Sequence, residues 1–228
     1  MNPGLRLERP ASLAGLDDGG SFIPWWGNNI NVTIPLKDMK VAFLAPEFPP
    51  HCFGVGTYCK NLTEALADKG VKIELISGAR RYEHENINLH STKLSGPIPV
   101  QWAGFFLLSN LYLMKLRDVS LIHDNSFLPI LPRKPIVVTS HSLSTVFHRK
   151  MRAKRLFAFG RLVMLTHHLG FKLEKNSMKR AKAIISLSPS MTEEMIREYG
   201  VKEEKIHEIP NGIKYSEFKR DEEKGGRV

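Results

Sequence analysis

Apolar positions along the chain come in short blocks. Lys40-Val-Ala-Phe-Leu-Ala45 is a near-continuous apolar run closed by Pro46, the pattern of a parallel strand buried on both faces. A loop rich in proline and glycine follows, over 46–56. Tyr58, Leu62 and Leu66 then recur at four-residue steps and Gly70 follows them, which predicts a helix stopped by glycine. A second strand is predicted over 71–76. Strand, glycine loop, helix, strand is the unit of a doubly wound, mostly parallel α/β sheet of Rossmann-like type. Further strands are predicted over 119–123, 135–139, 183–187 and 206–209, with a weaker one over 87–90. Helices are predicted over 99–117, over 144–180 with a break near Gly160 or Gly170, and over 189–199. The last has Pro189 in its first turn, Ser190 and Glu193 at capping-box spacing, and Gly200 at its end. No internal repeat is present.

The two ends break this texture. Residues 1–38 hold glycine at 4, 15, 19, 20 and 27 and proline at 3, 10, 24 and 35, with no periodicity. Such composition buries too little apolar surface to offset chain ordering, so we expect a disordered leader, with Trp25 and Trp26 as its exception. Met39 is an alternative start, because the first strand begins just after it. The expected organisation is a leader over 1–38, one α/β domain over 39–219, and a frayed, charged tail over 220–228.

The chain has 228 residues, 42% hydrophobic and 25% charged. That is enough for a core without metal or disulfide staples. Two cysteines, Cys52 and Cys59, exclude a disulfide framework. No apolar run reaches the roughly 18 residues of a membrane span. No signal-peptide pattern opens the chain. The expectation is a cytoplasmic protein, with peripheral attachment at the inner membrane face as a variant.

The net charge of +10 is unevenly placed. Residues 133–182 carry 13 Lys/Arg and a single acid, Glu174, leaving −2 on the rest. A basic segment on a near-neutral body predicts an anionic partner such as phosphate, nucleic acid or a membrane surface. A solvated basic helix face explains the same count equally well.

Three segments could carry chemistry. The first, Pro49-Pro-His-Cys-Phe-Gly54-Val55-Gly56, lies between strand and helix, where glycines let a backbone approach a ligand and helix N–H groups face an anion. It is not the dinucleotide fingerprint: Cys59 stands at the third glycine, and Ser77-Gly78 where an acid is expected. The second group is His141 with Ser142, and His123, each at the end of a predicted strand, where open α/β sheets bind ligands. A structural histidine is the commoner outcome at such a position. The third, Ile209-Pro-Asn211-Gly212, is a turn on composition alone. No metal constellation emerges, since His167 and His168 are adjacent and the cysteine spacing matches no zinc pair.

In order, these motifs resemble the N-terminal half of a family 4 glycosyltransferase of the GT-B fold. The resemblance spans 39–219. It rests on Phe48-Pro-Pro50, Phe53-Gly54-Val-Gly56, Leu66-Ala-Asp-Lys-Gly70, Ser120-Leu-Ile-His123, Thr139-Ser-His141 and, most specific, Lys205-Ile-His-Glu-Ile-Pro-Asn-Gly212.

The resemblance implies transfer of a sugar from a nucleotide-sugar to an acceptor with retention, and no metal or other cofactor. By carry-over, Gly54, Val55 and Gly56 would approach the donor diphosphate or the acceptor. His141 would contact the transferring sugar as the catalytic residue, with His123 and Ser142 lining the cleft. Asn211 and Gly212 would form a hinge to a donor-binding domain that this chain lacks and that a separate gene could encode. Phe53 replaces the first loop glycine, Val71 the usual histidine after Gly70, and Asn125 a frequent second histidine. The group that stabilises the leaving diphosphate normally dominates such chemistry, so the chain alone is expected to be inactive. The alternative is a non-catalytic binding module using 133–182 on an anionic membrane or another polyanion. Nucleic acid ranks low, because no such motif is present. A sugar-nucleotide 2-epimerase of the same fold fits the Lys205–Gly212 block poorly.

Overall fold

The computed structural model describes residues 21–22, 34–35, 37, 39–50, 53–126, 134–143 and 160–212; within 21–22, 34–35, 98–99 and 160–169 it describes the backbone only. The tail, Cys52, most of the leader and residues 144–159 of the basic segment lie outside the described residues. Two short strands, β1 (Ser21–Phe22) and β2 (Ile34–Pro35), pair antiparallel, where the sequence predicts no element.

Seven strands form one sheet: β3 (Lys40–Ala45), β4 (Lys72–Ser77), β5 (Ile87–Ser91), β6 (Leu121–Asp124), β7 (Ile136–Ser140), β8 (Ala183–Ser186) and β9 (Ile206–Glu208). Their order is β5-β4-β3-β6-β7-β8-β9, and every pairing is parallel. The strand order reverses beside β3, which pairs with β4 on one side and β6 on the other. This is the doubly wound architecture that the hydrophobic blocks predict, with strand ends displaced by one or two residues.

Successive side chains of a strand point to opposite faces, and β3 feeds two cores. Val41, Phe43 and Ala45 join Ile73, Leu75 and Leu121 on one face. Ala42 and Leu44 join Ile76, Ile122, Val138 and Ile184 on the other. The first face is covered by α1 (Gly54–Asp68). Its buried stripe is Gly56, Cys59, Thr63 and Ala67. These small residues let the helix lie close to the sheet, and Tyr58, Leu62 and Leu66 flank them. Gly70 ends the turn at φ 87, a left-handed conformation that costs glycine little.

The second face is covered by α2 (Ile98–Lys115), α3 (Gly160–Arg180) and α4 (Pro189–Glu194), the last running on into a π-turn, Met195–Tyr199. Two expectations are corrected here. The N-cap of α4 is Ser188, whose side chain accepts from the Met191 N–H, and not Ser190. Gly170 lies within α3 and does not break it. No described helix is long and apolar enough to cross a membrane.

Where β3 begins, Lys40 Nζ reaches Glu74 at 2.7 Å and Asp118 at 2.8 Å, while Asn88 and His90 also bond the Glu74 carboxylate. Burial pushes the Glu74 carboxyl up, but the hydrogen bonds from Lys40, His90 and Asn88 together hold it below its ordinary range. A single carboxylate thus ties β3, β4 and β5 side by side.

Candidate functional site

In open α/β sheets ligands sit outside the carboxyl ends of the strands, where the strand order reverses. A cavity of about 240 Å³ lies at that point. Pro46 and Glu47 come from the loop after β3, Val55 from the first turn of α1, Asn125 and Ser126 from the end of β6. His141 and Ser142 follow β7, Trp102 comes from α2 and Glu174 from α3.

The loop after β6 is built by Asp124. Its buried carboxylate accepts from the Ser126 N–H at 2.8 Å and the Ser126 hydroxyl at 2.6 Å, and from Ser177 of α3 at 3.3 Å. An aspartate bonding the backbone two residues on forms a tight local turn. That turn presents Asn125, whose Nδ2 donates to the Leu44 carbonyl at 3.2 Å and whose Oδ1 lies 3.1 Å from His141 Nε2. The Tyr58 ring meets the His141 ring edge-to-face at 4.6 Å. Burial lowers the His141 pKa to about 4, so the ring is neutral near pH 7.

Glu47 belongs to this cavity and to a second, of about 310 Å³, that runs past Phe48, Phe53, Gly78, Thr92, Lys93, Gln101 and Trp102. Its Oε2 is buried and has no hydrogen-bond partner among the described residues. Gly78 is required there: a Cβ would sit 2.8 Å from the Pro46 carbonyl oxygen. Glu174 is 2% exposed and accepts the Tyr199 hydroxyl at 2.8 Å, across from α3 to the π-turn.

The structure brings together His141, Ser142 and Val55 of the predicted site residues. His123 is corrected: it does not line the cleft. It is buried against the Phe43 ring at 4.6 Å, bonded to the Thr139 hydroxyl at 2.7 Å, and its pKa is lowered by burial and by His141 to about 3. Gly56 packs in the helix–sheet contact, while Gly54 is exposed with open space where a Cβ would be. Asn211 and Gly212 are exposed and line neither cavity. Glu47, Trp102, Asn125 and Glu174 are missed as site residues by sequence reasoning. Two of them carried a signal: Glu174 is the single acid in the basic segment, and Asn125 stands where the resemblance leads one to expect a second histidine. Among the described residues no cluster of His, Cys, Asp or Glu could hold a metal ion.

The sequence model of Glycosyltransferase Family 4 matches residues 54–217. The chain belongs to glycosyltransferase family 4. An uncharacterized glycosyltransferase of Methanocaldococcus jannaschii is 24% identical to this family member over 189 residues, 79% of the chain and 48% of that relative. The chain thus spans about half the length of the curated relative it matches. Among solved structures it is similar to WaaG, a glycosyltransferase involved in lipopolysaccharide biosynthesis, at 14% identity and TM-score 0.59, covering 76% of the chain and 45% of WaaG. It is also similar to HepE of Anabaena, solved in complex with UDP, at 16% identity and TM-score 0.53, covering 81% of the chain and 47% of HepE. These likenesses show the GT-B fold of the family 4 half represented here.

Proposed function

We propose that this chain is the acceptor-side half of a retaining glycosyltransferase that moves a sugar from a nucleotide-sugar to a hydroxyl acceptor without a metal. One observation carries the reading: the cavity at the strand-order reversal of a family 4 domain holds a neutral histidine among hydroxyl, amide and carboxyl groups. That set suits a sugar ring. His141 contacts the transferring sugar, and Ser142 and Asn125 complete the wall. Groups that neutralise a leaving diphosphate come from a donor-binding domain in the other half of the relatives' length, joined or supplied as a partner at the Asn211–Gly212 end. The basic segment over 133–182 offers an anionic surface, such as a membrane carrying a lipid-linked acceptor, an attachment point.

The test is nucleoside diphosphate release from a panel of nucleotide-sugars by the chain alone and by the chain with its donor domain. Turnover is expected only with both, and His141→Ala should lower it about 100-fold, the cost of losing one positioned contact at a reacting centre. No turnover by the pair with any donor would overturn the function. Turnover by the chain alone would overturn the division of labour.

A further inference from the structure

Asn125 and His141 carry more information than their contact distance. An amide group has a donor end and an acceptor end, and its orientation follows from its partners. Here the partner at one end is the Leu44 carbonyl, which can only accept, so Nδ2 must face it. Turning the amide over would set two oxygens against each other at 3.2 Å. The end facing His141 Nε2 is therefore the oxygen, which also can only accept. It follows that Nε2 carries the ring proton. In a neutral imidazole the other nitrogen is then a bare acceptor, and His141 Nδ1 makes no hydrogen bond among the described residues. The Asn125 backbone N–H donates to the same Leu44 carbonyl at 3.2 Å, so the amide is held at two points.

The same cavity contains a second group of the same polarity, the Glu47 carboxyl, with its buried Oε2 unpartnered among the described residues. Both groups call for a ligand that brings hydrogens. The oxygens of a phosphodiester or diphosphate diester bring none, and would meet the acceptor oxygens of Glu47. A site built to hydrogen-bond substrate hydroxyls discriminates strongly against ligands without them, because its own polar groups are left unpaired.

We propose that Asn125 is a positioning residue that fixes His141 as its Nε2–H tautomer, so that His141 Nδ1 and Glu47 accept from hydroxyl groups of an uncharged sugar ring and select it over a phosphate diester. This rests on the sugar-transfer reading of the same cavity and adds the direction of its hydrogen bonds. Of the two ligands expected beside Val55, a diphosphate or an acceptor, it favours one that carries hydroxyl groups. The apolar wall of Val55, Pro46 and Trp102 suits the C–H faces of such a ring.

The test is ¹⁵N–¹H NMR of the histidine rings of the full chain near pH 7, with methyl glucoside, methyl galactoside, methyl mannoside and dimethyl phosphate, an anion without O–H groups, as separate probes. His141 is expected to show a protonated Nε2 and an unprotonated Nδ1, and at least one glycoside, but not dimethyl phosphate, should shift Nδ1. In Asn125→Ala the ring should populate both tautomers and bind that glycoside about fivefold more weakly, the loss expected of one hydrogen bond. Glu47→Gln should weaken the glycoside by a similar factor. A protonated Nδ1 in the parent chain would overturn the tautomer assignment. A shift with dimethyl phosphate, or with none of the glycosides, would overturn the selection. Because these readouts need no turnover, glycoside binding without transfer by the assembled pair would refute the enzymatic reading alone.

Discussion

Replacing Tyr199 by phenylalanine tests a buried polar contact between two elements. Tyr199 is fully buried, and its hydroxyl donates to Glu174 Oε2 at 2.8 Å. The substitution removes only that oxygen and keeps the ring, which packs on Phe171 at 5.1 Å between centroids. A buried hydroxyl-to-carboxyl bond is worth about 1–3 kcal/mol, because its loss takes one donor from the buried Glu174 Oε2. With a urea m-value of about 2 kcal/mol/M, the unfolding midpoint should fall by roughly 0.5–1.5 M. The assay is urea unfolding followed by circular dichroism and fluorescence, whose transitions should coincide. A cycle with Glu174→Ala should return a coupling of about 1 kcal/mol or more between the two sites. A midpoint within about 0.2 M of the parent, together with no coupling, would refute the claim that this bond ties α3 to the π-turn.

The approach of Gly78 to the Pro46 carbonyl sets backbone against backbone, so Gly78→Ala should cost about 1–3 kcal/mol, read as a lowered thermal midpoint. An unchanged midpoint would mean the loop after β3 can shift freely. Acid should destabilise the fold through two desolvated histidines: in the folded chain burial lowers His123 to about 3 and the partly buried His141 to about 4, below the ordinary histidine value. Between those values and about 6.5 the unfolded chain binds more protons, so stability falls as pH falls, by up to about 1.4 kcal/mol per pH unit for each ring. His123→Gln should remove its share of that slope in urea titrations from pH 7 to pH 4, and an unaltered slope would contradict the assignment. Leu107 of α2 is 59% exposed, so Leu107→Ser should change stability by less than about 0.5 kcal/mol in the same urea assay.

The sheet was legible because its strands are buried on both faces and read as unbroken apolar runs. β5 was faint because only Ile87 among its five residues is buried. The π-turn left no trace in the pattern, since widening a last turn by one residue keeps the same buried faces, Met195 and Tyr199. The site was half legible. His123 and His141 look alike in the sequence, each ending a strand. His123 falls inside β6, on the face that carries Phe43, whereas His141 lies one residue past the end of β7, where alternation no longer buries it. Glu47, Trp102 and Glu174 come from three separate elements and share no spacing, so only the assembled fold brings them together. The tautomer of His141 depends on the Leu44 carbonyl, a backbone atom common to every sequence.

The reversal of strand order also sets a timetable for synthesis. β3 emerges first among the strands of the large sheet yet ends at its centre, and Lys40 meets its partner Ser120 across 80 residues of chain. At about 5–20 residues per second, some 4–16 seconds pass between the ribosome's release of one partner and the other. During that interval β3 and β4 can pair, but the flank of β3 that will receive β6 stays open, its N–H and C=O groups available to the strands of other nascent chains. The nascent domain therefore carries an open central edge during the seconds before residue 121 arrives, well before any substrate matters to it.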